Sequence, residues 1–173
     1  YTADVTPFID TQRTAMTAVN YLIDNQPREG EVVSDLTNVP NGYTPESHPR
    51  LGSSPSKHIT VPVVLEQAAN GIRVFLEMHK PQNASIDLYY RTGSDVDDDL
   101  YTMEWIYIES ENNPPNNPAP FNNEPEYSEY SYLIGGRDGD LTDFLQFQLK
   151  MVFRSTNTCE PTKLKSIRAI AVV

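Results

Sequence analysis

Ile72, Val74, Leu76 and Met78 alternate with Arg73, Phe75, Glu77 and His79. A period of two places every second side chain on one face, as expected of a strand buried on one side. Pro81, Gln82 and Asn83 supply a turn, after which Ile86, Leu88 and Tyr90 alternate with Asp87, Tyr89 and Arg91. The two runs read as a hairpin. A third run sets Met103, Trp105 and Tyr107 against Glu104, Ile106 and Ile108. The cleanest amphipathic run sets Leu145, Phe147, Leu149, Met151 and Phe153 against Gln146, Gln148, Lys150 and Arg154.

The final run, from Lys165 to Val173, loses its polar face at Ile170 to Val173. A strand apolar on both sides is central in its sheet, or is covered by a neighbouring chain. Residues 59–66 and 127–134 are weaker strands, and Pro62 assigns the first of them to an edge. Short strands separated by turn signals, without a long helical period, predict an all-β fold. The expected form is an antiparallel β-sandwich, jelly-roll-like in its connections.

The connections carry much of the proline. Residues 109–126 contain five prolines and read as a long exposed loop, ordered only where another surface holds it. The first 57 residues form the expected extended, proline-rich N-terminal arm, with the sandwich domain spanning 58–173. Within the arm, Thr14 to Ile23 fits both a helical stripe and a strand, and its threonines and Tyr21 favour the strand. Residues 26–57, with Pro27, Pro40, Pro45, Pro49 and Pro55, cannot bury much apolar area alone. They are either a disordered linker or an arm laid over a neighbour.

The chain has 173 residues, enough for one domain with its own core, and a formal net charge of −11. That field repels phosphates and anionic lipid, which disfavours nucleic-acid or membrane-surface binding. No apolar run approaches the ~20 residues needed to span a bilayer. The single cysteine, Cys159, allows no intrachain disulfide and fits synthesis in a reducing cytoplasm. A first residue of Tyr1 rather than Met suggests a piece of a longer polypeptide.

Catalytic and metal-binding patterns are sparse. Asp95, Asp97, Asp98 and Asp99 form an acidic turn that lacks the glycine and distal glutamate of an EF-hand loop. Asp138, Asp140 and Asp143, around Gly139, are weak calcium candidates without a full ligand series, and Asp140 fits an N-cap equally well. His48, His58 and His79 lack zinc-ligand spacing, and His79 is expected to be an exposed side chain on a polar strand face. There is no G-x-S-x-G elbow, and Gly135-Gly136 is followed by Arg137 rather than by a P-loop lysine. Glu104, Glu109 and Glu111 could supply a carboxylate pair for glycoside hydrolysis, but nothing separates them from the general acidity. No enzyme activity and no cofactor are expected.

Tyr89, Tyr90, Tyr101, Trp105, Tyr107, Tyr127, Tyr130 and Tyr132 cluster in the sandwich region. Core packing accounts for some of them, and the others suit a sugar-stacking face or subunit contacts. The candidate binding or interface residues are Tyr89, Tyr107 and Tyr130, with Pro114, Pro115 and Phe121 of the loop and Ile170 and Val172 of the apolar ending.

Several segments, in order, resemble a known group. Phe8-Ile9-Asp10-Thr11-Gln12-Arg13 is similar to a P-V-I-D-x-x-R segment, and His58-Ile59-Thr60 followed by Gly71-Ile72-Arg73-Val74 resembles Y-I-T before a strand with L-R-V. Lys80-Pro81 followed by Ile86 to Arg91 resembles R-P-x-x-x-x-I-x-V-Y-Y-K, and Trp105 sits where a tryptophan commonly follows an acidic turn. The ending, from Phe147 through Ser155, Thr156, Asn157 and Pro161 to Ile167-Arg168-Ala169-Ile170-Ala171, looks like F-x-I-K-I-V-x-x-S-T-N … P-x-x-x-x-x-R-A-I-A. These patterns belong to virion structural proteins of T-even-like contractile-tailed phages, especially cyanophages. His58 in place of the usual aromatic and the Asn/Pro loop at 109–126 depart from the pattern.

The resemblance implies a non-enzymatic tail or baseplate component, located in the virion and made in the host cytoplasm. Its partners would be other virion proteins and copies of itself, without nucleic acid or membrane insertion. The alternative is a receptor- or carbohydrate-binding module of a tail fibre or tip, with a host-surface glycan as ligand.

Overall fold

The computed structural model describes residues 8–10, 15–17, 44–54, 56–81, 84–108, 126–135, 141–155 and 162–173. Within these residues, ten strands form two antiparallel sheets. They are β1 (Phe8–Asp10), β2 (Ala15–Thr17), β3 (Lys57–Ile59), β4 (Val63–Ala69), β5 (Gly71–His79), β6 (Ala84–Gly93), β7 (Ile106–Ile108), β8 (Ser128–Gly135), β9 (Phe144–Ser155) and β10 (Lys163–Val172). Sheet A has the order β1-β2-β10-β5-β8. Sheet B has the order β3-β9-β6-β7, with β4 also pairing with β9.

The alternating apolar residues meet between the sheets. Ile72, Val74, Leu76 and Met78 of β5, with Tyr130, Tyr132 and Ile134 of β8, face Ile86, Leu88 and Tyr90 of β6 and Phe147, Leu149, Met151 and Phe153 of β9 in one buried cluster. Burial of these rows is the main force holding the sheets together. The all-β, two-sheet expectation is met. Residues 59–66 are indeed at an edge, where Pro62 lies between β3 and β4.

The expected hairpin of 72–78 with 86–90 does not form. β5 pairs with β8 and β10, whereas β6 pairs with β7 and β9, so these two consecutive strands lie in different sheets. Alternation specifies which face is inward, not which strand lies alongside. Placed in opposite sheets, both apolar rows reach the same core. The third run is also shorter than expected, because Leu100–Thr102 forms a 3-10 turn and the strand starts only at Ile106.

A corner at Asn70 joins the sheets. Its N–H donates to Val172 O at 3.0 Å, and its carbonyl accepts from Leu141 N at 2.9 Å. Gly135 meets this corner with φ +66°, and a Cβ there would strike the Asn70 carbonyl, so the position requires glycine.

Part of the expected arm is folded onto the body. The 57/58 boundary falls inside β3, Glu46, Ser54 and Ser56 are buried, and β2 pairs with the start of β10. Residues 18–43 and the loop at 109–125 lie outside the described residues.

Candidate functional site

The outer face of sheet B should be its polar, solvated side. It is instead buried. Asp87, Tyr89 and Arg91 of β6 and Gln146, Gln148, Lys150, Val152 and Arg154 of β9 are all buried, beneath residues 44–56 and the segment from Leu100 to Trp105. Tyr89, Trp105 and Val152 pack there as a second, smaller core against Tyr107.

Glu46 is the centre of this layer. Its carboxylate accepts from Ser54 N at 2.6 Å and lies 3.1 Å from the Lys57 amine and 3.3 Å from the Lys150 amine. Lys150 also donates to the Glu46 backbone carbonyl. Gly52 makes room for this carboxylate, since a Cβ there would come within 2.7 Å of both carboxylate oxygens.

The Lys150 amine lies 4.8 Å from the Tyr89 ring centre and 4.9 Å from that of Trp105. Burial brings this amine down to about 8; Glu46 opposes the drop, and Lys57 and Arg91 add to it. Arg91 stacks 4.0 Å over Trp105 and donates to Gln148 Oε1 at 2.9 and 2.5 Å and to the Pro49 carbonyl at 3.1 Å. Nearby, the buried Asp87 and Arg154 pair at 2.5 Å.

This arrangement clamps a chain segment. The carbonyls of Glu46, Ser47, Pro49 and Ser56 accept from Lys150 Nζ, Trp105 N, Arg91 Nη1 and Phe153 N respectively, all donors of the sandwich body. Sequence reasoning missed the role of Glu46, Arg91, Trp105 and Lys150 together. The available signal was only that Arg91 and Lys150 lie on strands rich in tyrosine or apolar residues; their approach to Trp105 and Glu46 depends on pairing that the sequence does not show.

The opposite feature is found on one flank of the sandwich. β7 lies against β8, which closes one side. On the other side, β10 pairs with β2 only at Lys163 and Leu164, and beyond that point its outer edge has no partner strand among the described residues. Register places Ile167 and Ala169 on the inward face, opposite Leu76 and Val74, and Val63 inward opposite Phe147. Yet Ile167 is 36% and Val63 39% exposed, and Ala169 is exposed as well. Among the described residues, the core is therefore open along β10 and β4.

The tyrosine expectations divide. Tyr89 and Tyr130 are buried within the chain, so neither presents a ring to a ligand. Tyr107 is half-buried and packs edge-to-face on Tyr89 at 5.4 Å. Ile170 is exposed and Val172 half-buried, both on the outer face of the β10 edge strand. Pro114, Pro115 and Phe121 lie outside the described residues, as do Glu109 and Glu111. His79, expected to be exposed, is buried, with its ring nitrogen 2.9 Å from the Glu126 carbonyl.

The acidic turn after β6 is held by its own bonds. Asp98 accepts from Asp95 N at 2.9 Å and Ser94 Oγ at 3.1 Å, and these bonds hold its carboxyl below the usual range. Asp99 caps the 3-10 turn, and Gln146 Nε2 donates to the carbonyls of Asp95 and Asp98 at 2.7 and 2.8 Å. Asp138 and Asp140 lie outside the described residues, and Asp143 is exposed. Among the described residues, no group of three or more His, Cys, Asp or Glu side chains is placed to hold a metal ion. Nor is any helix long and apolar enough to cross a membrane.

What the geometry defines is an all-β module of two antiparallel sheets, clamped on one outer face and open along one flank. No family model, curated protein or solved structure matches the chain.

Proposed function

We propose that this chain is a structural subunit that works by assembly, as a component of a contractile phage tail or baseplate. The observation that carries the assembly reading is the open flank. Ile167, Ala169 and Val63 point into the core yet remain exposed, and the β10 edge beside them carries unpaired N–H and C=O groups among the described residues. Natural edge strands are usually protected by charge, proline or a covering element. The stretch Ala169 to Val173 has no charge and no proline, so a second chain is its natural cover.

A second copy is the simplest occupant. Two β10 edges related by a two-fold axis pair antiparallel and satisfy both rows of backbone groups at once. The phage assignment itself rests on the ordered sequence resemblance. The glycan-binding alternative loses support from the burial of Tyr89 and Tyr130.

The test is light scattering at high salt, which screens surface charge contacts. Wild type should be a dimer and Ile167→Lys a monomer with an unchanged fold, since the lysine can reach solvent through the open flank. A wild-type monomer at every concentration, or an equally dimeric variant, would overturn the reading.

A further inference from the structure

A chain of net charge −11 carries a compact cationic and aromatic patch on the outer face of sheet A. Register places Arg73, Phe75 and Glu77 of β5 on this face, with Arg168 and Ile170 of β10 on one side and Leu133 of β8 on the other. The Phe75 ring is flanked by two guanidiniums, Arg168 at 4.3 Å and Arg73 at 5.6 Å from its centre. Both arginines are exposed, and Leu133 and Ile170 beside them are 39% and 48% exposed. Glu129 reaches Arg168 only at 3.7 Å in an exposed pair, which contributes little. Exposed arginines around a half-buried aromatic ring are the composition of an interface centre.

The complementary surface is in the same molecule. The turn from Ser94 to Asp99 presents Asp95, Asp97, Asp98 and Asp99, and its own hydrogen bonds fix its shape. It is anchored through Gln146, a residue of the outer face of sheet B. The patch lies on the outer face of sheet A, across the sandwich, so one chain cannot bring the two together.

We propose that the Arg73–Phe75–Arg168 patch receives the acidic turn 94–99 of a second copy. This contact rests on the assembly reading and deepens it. Because it joins two different surfaces, it is heterologous and repeats from copy to copy, closing into a ring or extending as a stack. The open flank joins copies as pairs, and the charged contact joins pairs into larger bodies. Opposite charges speed and orient such an encounter, and salt weakens it.

A charge exchange tests the contact by sedimentation of the full chain at low salt. One variant reverses the patch, Arg73→Glu with Arg168→Glu. The other weakens the turn, Val96→Lys with Asp97→Lys, which offsets most of its negative charge while leaving in place the Asp95, Asp98 and Asp99 side chains that bond the turn together. Wild type should form species larger than a dimer that dissolve to dimers as salt rises, and each variant alone should stop at the dimer. An equimolar mixture of the two should recover the large species, because the unaltered turns on one variant's pairs then meet the unaltered patches on the other's. Thermal melts matching wild type show that the variants are folded.

Large species in either variant alone, or a mixture that stays dimeric, would overturn the contact while leaving the open-flank reading intact. A wild type that is a dimer at every salt concentration would do the same. A wild type monomeric throughout would contradict both.

Discussion

Lys150 shows how one residue can change the meaning of a strand face. It sits at an alternate position on β9 where exposure is expected, yet it is buried between Tyr89, Trp105 and Glu46. A cation removed from water needs a counter-charge and full hydrogen bonding, and Glu46 supplies both. Glu46→Gln keeps the shape but leaves the Lys150 cation without its carboxylate. Urea unfolding of this variant at neutral pH should show a loss of about 3–5 kcal/mol. The Lys150 amine titrates near 8 in the folded chain and near its usual 10.5 when unfolded. Between those pH values the unfolded chain binds more protons, so this group makes stability rise with pH across that window and leaves it flat below. Lys150→Met should remove that part of the slope in unfolding curves taken between pH 7 and 10, a window set by the same shift.

At the level of single elements, alternation was a reliable guide to the inward face and a poor guide to its partner. The rows at 72–78 and 147–153 name the core residues correctly, because a period of two puts all their apolar side chains on one face. The same rows said nothing about β5 and β6 parting into opposite sheets. Nor did they show that the face carrying Gln146, Gln148 and Lys150 is covered, since its cover comes from residues about a hundred positions earlier. A proline-rich composition read as an arm concealed Glu46, whose importance depends wholly on where Lys57 and Lys150 end up. The apolar ending of β10 was legible as a strand needing cover, and the structure locates the uncovered part on its edge and inner face.

These assignments predict different costs for similar truncations. Leu149→Ala removes a fully buried side chain from the centre of β9 and should cost about 2–5 kcal/mol by chemical denaturation. Ile170→Ala, measured in the same way under conditions where the chain is dispersed, should cost less than about 1 kcal/mol, because about half of that side chain is already in water.

Among the described residues, one side of the sandwich is closed by β7 and β8, one outer face is sealed by residues 44–54 and Ser56, and the β10–β4 flank is left open. A monomer built to act alone gains nothing from an edge strand that ends in five uncharged residues and, among the described residues, has no partner beside an open core, since such an edge invites uncontrolled pairing. A subunit gains a place to join. Acidic net charge with a local cationic patch adds a way to orient successive copies while keeping dispersed chains soluble. Backbone hydrogen exchange along residues 166–172, compared between wild type and Ile167→Lys at high salt, tests this most directly. The account predicts slow exchange of the edge-facing amides in wild type and fast exchange in the variant, with the amides bonded to β5 slow in both. Equally fast edge exchange in both proteins, at concentrations where wild type is fully associated, would contradict it.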